Sequence, residues 1–141
     1  MRRQGEIIII EDDEDDRLFL KDIFESLDYP NKIVFFEDPT QVVSYLSDPS
    51  VNPFIVISDI NMPKIDGYEL REQIIAIEKI NEKCVPYIFM STSRNPENVA
   101  RAYKLAAHGY FKKEDDFLTY KNIIKNIVEY WRVSLTPSTT F

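Results

Sequence analysis

Phe54-Ile55-Val56-Ile57-Ser58-Asp59-Ile60-Asn61-Met62-Pro63-Lys64-Ile65-Asp66-Gly67 is the stretch on which the fold turns. Its first four residues are apolar without alternation, which suits a strand covered on both faces, and Pro63 and Gly67 break regular structure soon after it. Asp59 is therefore expected at the carboxyl end of a buried strand. In open parallel sheets ligands bind at that edge, because loops leave the sheet there from fixed anchor points. A carboxylate so placed can act as nucleophile, metal ligand or general base. Taken alone, it reads equally well as a loop or capping acid.

A second apolar run, Ile7-Ile8-Ile9-Ile10, ends in Glu11-Asp12-Asp13-Glu14-Asp15-Asp16. If the two strands are neighbours, at least three carboxylates converge at one edge. Such a cluster is costly unless a cation offsets the repulsion, and an all-oxygen site that keeps some waters is what Mg²⁺ selects. Glu14, Asp15 and Asp16 are expected to do no more than start the next helix, where the macrodipole favours acids. Glu11 and Asp12 are expected to belong to the site.

Working outward, a first helix is predicted from about Asp15 to Leu27, with Leu20, Ile23, Phe24 and Leu27 on one face. Lys32 to Phe36 reads as a strand, and Asp38-Pro39 as the start of a short helix carrying Val42, Tyr45 and Leu46. A third helix runs from Gly67 to about Ile80. Pro86 to Met90 reads as a fourth buried strand ending in Ser91-Thr92-Ser93, and Asn95-Pro96 then opens a helix whose inner face would hold Val99, Ala102, Tyr103 and Ala106. His108-Gly109 closes that helix, with His108 read as a helix-end residue. Tyr110-Phe111 begins a short fifth strand running into Lys112-Lys113-Glu114, and a long helix from about Asp116 to Val133 carries Phe117, Tyr120, Ile124, Ile127 and Trp131 on its apolar face. Five β-α alternations predict an α/β protein with a parallel five-stranded sheet between two helical layers. Residues 1–133 are expected to form one domain, and 134–141, rich in Ser, Thr and Pro, a frayed tail.

Composition narrows the function classes. The net charge of −7 over 141 residues argues against nonspecific nucleic-acid binding, which depends on neutralising phosphates. Apolar runs are far too short for a membrane span, and the basic start Met1-Arg2-Arg3-Gln4-Gly5 lacks a signal-peptide core. With one cysteine, Cys84, and one histidine there is neither an internal disulfide nor a zinc spacing, and no phosphate-cradling glycine loop follows the first strand. These features read as a cytoplasmic protein.

At the strand ends stand Glu11 and Asp12 (first), Asp59 (third), Ser91 (fourth) and Lys113 (fifth). This order resembles the receiver domain of two-component response regulators, over about Ile7 to Trp131, and is most similar to single-domain, chemotaxis-type members. Ser58-Asp59-Ile60-Asn61-Met62-Pro63, followed by Asp66-Gly67, matches the family's phosphorylation segment. The resemblance implies a flavodoxin-like fold of strand order 2-1-3-4-5 and a signalling switch rather than an enzyme with an external substrate. It implies Asp59 as phosphoacceptor from a phosphohistidine on a sensor histidine kinase or histidine phosphotransfer protein, with Mg²⁺ or Mn²⁺ as cofactor. Asp12 and Asp59 would bind the metal through side chains, Asn61 through its carbonyl, and Glu11 largely through an intervening water. Ser91 and Lys113 would hold the phosphoryl group, and Tyr110 would swing inward as the switch. The face of the fourth helix, fifth strand and fifth helix, including Arg101, Lys104, Tyr110, Lys112 and Lys121, would then meet an unspecified protein target. Membranes are not expected partners; a monomer is expected, with dimerisation on phosphorylation left open.

Some assignments stay open at this level. Lys112 competes with Lys113, which is preferred on the family spacing from Gly109-Tyr110, and Thr92 competes with Ser91, which is preferred on the count from Pro86. Tyr110 reads equally as core. Two departures from the family pattern are expected to matter: Glu114 stands where Pro often follows the lysine, and Thr92 stands where a small residue is common, which should alter dephosphorylation. The competing functions are a phosphorylation-independent receiver-like binding module and a Mg²⁺-dependent phosphatase. The phosphatase would want a second acid where Asn61 stands.

Overall fold

A computed structural model of the chain describes residues 3–137. The outer part of the expected tail, from residue 138 on, lies outside them. β1 (Ile7–Ile10), β2 (Ile33–Phe36), β3 (Ile55–Asp59), β4 (Tyr87–Ser91) and β5 (Gly109–Lys112) form one parallel sheet in the order β2-β1-β3-β4-β5. Helices cover both faces: α1 (Glu14–Leu27), α2 (Val42–Ser47), α3 (Gly67–Ala76), α4 (Glu78–Asn81), α5 (Pro96–Lys104) and α6 (Phe117–Val133). This is the flavodoxin-like fold that the resemblance implied.

Burial explains why β1 and β3 are central. All four β1 isoleucines are at most 1% exposed, and each contributes about 1.5–3 kcal/mol when fully buried. Their side chains alternate between two cores. Ile7 and Ile9 pack with Ile55, Ile57 and the inner faces of α1 and α6, while Ile8 and Ile10 pack with Val56, Phe89 and residues of α2 and α3. β2 lies at the edge and is only half-buried. The register pairs Ile10 with Ser58, so Glu11, the residue after β1, comes level with Asp59 at the end of β3.

Local chemistry sets the helix starts. Asp13, Asp38, Asp66, Asn95 and Asp116 each accept a backbone N–H through the side chain, and Pro39 and Pro96 occupy first-turn positions.

Two expectations are corrected. The third helix is not continuous to Ile80: Ile77 takes an extended conformation between α3 and α4, and the break lets Ile80 turn into the core. The inner face of α5 is narrower than its apolar spacing suggested, since Ala102 is its one buried residue and Tyr103 is 53% exposed. Ala106 is not helical at all. It adopts φ 58°, and Ala107 N–H donates to the Ala102 carbonyl in a left-handed helix end.

His108, expected only as a helix end, starts the β4–β5 pairing. Its N–H donates to the Tyr87 carbonyl (2.9 Å), and its Nδ1 accepts from Tyr87 N–H (3.0 Å). The ring stands edge-on to Trp131 at 5.6 Å. The residue is exposed on one side, but partial desolvation of the ring by its packing, and then the nearby Arg71 charge, lower its pKa from the ordinary 6.5. The folded state thus favours neutral imidazole, and its contribution to stability is complete above about pH 6.5 and is lost as pH falls through the lowered value. Urea denaturation at pH 7.5 and 5.5 should show a larger loss for the wild type than for His108→Asn, which keeps an acceptor but does not titrate. Parallel losses would remove His108 as the cause.

Candidate functional site

The site is assembled at the carboxyl edge of the sheet by three strand ends. Glu11 follows β1 directly and is 2% exposed, because its N–H still donates to the Phe36 carbonyl (2.9 Å) as if the strand continued. Asp12 turns out of the sheet, and Asp13 caps α1 by accepting the Asp16 N–H at 3.0 Å. Asp59 is the last residue of β3 and 9% exposed, and its Oδ1 accepts the Ile60 N–H at 2.8 Å. Carboxylate oxygens of Glu11, Asp12 and Asp59 lie within 4.8 Å of one another.

Lys113 is the cation that reaches two of these, Glu11 and Asp59. Its Nζ lies 2.8 Å from Glu11 Oε1, 3.0 Å from Asp16 Oδ2 and 3.2 Å from Asp59 Oδ1. The backbone puts it there: Lys112 is the residue paired with Ser91 in the ladder, and Lys113 N–H then donates to the Ser91 carbonyl at 2.8 Å. Burial by itself would depress the Lys113 pKa, but the bond to Glu11 and the charges of Asp59 and Glu11 raise it, so the ammonium stays charged.

Glu11 is pushed up to about 10, from an ordinary 4.5, first by burial and then by the neighbouring Asp16 and Asp59 carboxyls, against the pull of Lys113. Its Oε2 is buried without a hydrogen-bond donor. An oxygen enclosed in this way among other carboxyls is satisfied by a proton or by a cation. The donor set of three converging carboxylates and an orphaned buried oxygen therefore fits a hard divalent ion such as Mg²⁺ or Mn²⁺.

The other expected residues are placed as follows. Ser91 ends β4 at 2% exposure, and its hydroxyl accepts from Ser93 N–H at 3.1 Å. Thr92 is exposed and lines a cavity of about 310 Å³ beside Lys113, with Asp15, Asp16, Phe19 and Glu114. Asn61 is exposed in the β3–α3 loop, two residues beyond Asp59. Tyr110 is half-buried, with its hydroxyl donating to the Ser93 carbonyl at 2.8 Å. Arg101 is exposed, and its guanidinium also sits 4.3 Å over the ring of Tyr68 on α3.

Asp16 corrects the sequence reading most directly, because it is no mere helix-start acid. It pairs with Lys113, and its hydrogen bond with Glu11, followed by the contact with Lys113, lowers its pKa. The signal was present in the spacing, since Asp16 lies four residues before Leu20 and seven before Ile23, on the buried stripe of α1. Arg17 was missed entirely. Its Nη1 donates to the carbonyls of Glu11 (3.0 Å) and Asp12 (2.7 Å) while Nη2 pairs with Glu37 (3.2 Å), which fixes the backbone that presents both acids. As a lone cation in an acid run it offered only a faint clue.

Comparison with known proteins gives the same family. The family model described as the response regulator receiver domain matches residues 7–125. The probable methanogenesis regulatory protein FilR2 of Methanothrix harundinacea is 27% identical over 129 residues, covering 89% of this chain and 82% of that protein. Among solved structures, the phosphorylated cyanobacterial phytochrome response regulator RcpA superposes with a TM-score of 0.81 at 24% identity, covering 94% of this chain and 97% of that one. Mn²⁺-bound response regulator Rcp1 gives 0.79 at 20%, with the same coverage of 94% and 97%.

The Asp59 loop has one tight point, Gly67. Its N–H donates to the Ile60 carbonyl at 2.7 Å, and a Cβ there would collide with the Asp59 carbonyl oxygen and come within 2.8 Å of Ile60 Cα. Backbone cannot yield as a side chain does, so Gly67→Ala should cost about 1–3 kcal/mol. The urea midpoint measures it, and an unchanged midpoint would mean that the loop has slack there.

Proposed function

This chain belongs to the response regulator receiver domain family, and we propose that it is a phosphorylation switch in which Asp59 accepts a phosphoryl group from a phosphohistidine. Receiver domains are signalling switches, and the observation that carries the finer reading is the meeting of Asp12, Asp59, Glu11 and Lys113 at one sheet edge. RcpA was solved phosphorylated and Rcp1 with Mn²⁺; both states belong to those proteins and support the same chemistry here.

Asp12 and Asp59 would hold a divalent ion directly, Asn61 through its carbonyl, and Glu11 largely through an intervening water. When bound, the ion supplies positive charge that lets an anionic carboxylate approach an anionic phosphoryl group. The protein's own groups do the rest. Ile60 N–H and Lys113 hold one oxygen of Asp59, and the second attacks phosphorus. An O–P bond forms as the N–P bond of the phosphohistidine breaks, and the imidazole leaves with the electron pair. Lys113 balances the growing charge on the phosphoryl oxygens. Ser91, at the end of the neighbouring strand, supplies a hydroxyl donor to the product.

The partners are then a sensor histidine kinase or histidine phosphotransfer protein and a downstream protein, met through the face of α5, β5 and α6. The phosphorylation-independent binding module has less support, since it leaves the buried cluster of acids and Lys113 without a purpose. No helix of the described residues is long and apolar enough to cross a membrane.

With acetyl phosphate and Mg²⁺ the protein should gain one phosphoryl mass, and Asp59→Asn should gain none. An unmodified wild type would defeat the phosphoacceptor assignment. Independently, Asp12→Asn should weaken Mn²⁺ binding at least about ten-fold in calorimetric titration; equal affinity would remove Asp12 from the metal site.

A further inference from the structure

We propose that Tyr68 and Arg71 of α3 grip α5 and carry the state of the Asp59 loop to it, as positioning residues for the output face. The inference rests on the phosphoacceptor assignment for its signal, but the grip itself can be tested without it.

The link begins at the loop. Gly67, the first residue of α3, is pressed against the Asp59 and Ile60 backbone so closely that no Cβ fits, and its N–H is bonded to the Ile60 carbonyl at 2.7 Å. Movement of the Asp59 backbone therefore reaches the start of α3 without slack. The next residue, Tyr68, is 4% exposed, and its hydroxyl crosses to α5 and donates to the Asn98 carbonyl at 2.9 Å. Arg101 of α5 closes over the same ring at 4.3 Å. One turn further along α3, Arg71 is 5% exposed and donates Nε to the Leu105 carbonyl and Nη2 to the Ala106 carbonyl, both at 3.0 Å.

Tyr68 thus holds the first half of α5 and Arg71 its carboxyl end. The guanidinium meets the carbonyl of Leu105, the C-cap of α5, and that of Ala106 just beyond it, where the negative end of the helix dipole favours a cation. It has no carboxylate partner among the described residues, and it also stands over the Tyr87 ring at 4.6 Å. A buried Arg placed in this way fixes a distance between two helices, which a flexible apolar side chain would not do.

The weakness of the remaining hold on α5 gives this grip its leverage. Ala102 is the one buried residue of the helix, and Tyr103 projects into solvent at 53% exposure. A helix held mainly by directional polar bonds can shift as a body when the bonded groups shift, whereas one set in a deep apolar groove resists. Tyr110, bonded to the Ser93 carbonyl, touches the chain before α5 and provides a separate contact from the sheet.

Hydrogen exchange of α5 read by mass spectrometry tests the link in Tyr68→Phe, Arg71→Met and the double variant, with global stability followed by urea. In the resting protein, α5 amides of the double variant should exchange about ten-fold faster than in the wild type, with β4 amides unchanged. Unchanged α5 exchange would overturn the grip. With beryllofluoride and Mg²⁺, α5 exchange should change in the wild type and no longer respond in the double variant, although the Asp59 loop of that variant still gains protection. A double variant whose α5 responds like the wild type would overturn the link. If the wild-type Asp59 loop itself fails to respond, the phosphoacceptor assignment falls, and with it the link, while the resting comparison still decides the grip.

Discussion

Four carboxyl groups and one ammonium meet at the edge where β1, β3 and β5 end, and the balance among them constrains the rest of the structure. Glu11 cannot be hydrated, since it is 2% exposed, and one of its oxygens has no donor. Lys113 reaches Glu11, Asp16 and Asp59 together, but one positive charge does not offset three negative ones. The residual charge favours a proton on Glu11 or a divalent ion among Glu11, Asp12 and Asp59. A fold that only had to be stable would fill these positions with apolar residues, so the polar cluster is retained at a cost that function explains.

That cluster depends on backbone more than on side-chain packing. The strand register brings Glu11 level with Asp59, the Glu11 N–H prolongs the ladder by one residue, and the Lys113 N–H is tied to the Ser91 carbonyl. Arg17 then pins the carbonyls of Glu11 and Asp12, so the acids are held from behind by a cation that never touches their carboxylates. On the other side Gly67 locks the Asp59 loop to α3. A site built in this way is rigid at its anchors, while α5 is fastened by a few polar bonds.

The interior strands were legible because burial on both faces leaves continuous apolar runs, as in Ile7–Ile10. Helix starts were legible where a capping side chain stands beside a first-turn proline, as at Asp38 and Asn95, whereas the caps Asp13 and Asp116 emerged only in the structure. The break at Ile77 was not, because nothing local distinguishes it from its helical neighbours; the need to bury Ile80 decides it. Tyr103 misled for the opposite reason. Its spacing from Ala102 and Val99 mimics a core face, but the surface beneath α5 is too narrow to cover it.

Strand and helix order, the parallel sheet and the set Glu11, Asp12, Asp59, Ser91 and Lys113 could be drawn from the residues, together with the family resemblance they carry. These depend on periodicity, capping and strand ends, which are properties of neighbours along the chain. Tertiary structure alone decided that Asp16 shares Lys113, that Arg17 braces the acids from behind, that Arg101 turns to Tyr68, and that Tyr68 and Arg71 fasten α5. Each of those pairs residues far apart in sequence or on different elements. Only the packing angle between elements, set by how both cores fill, determines which long side chains can reach one another.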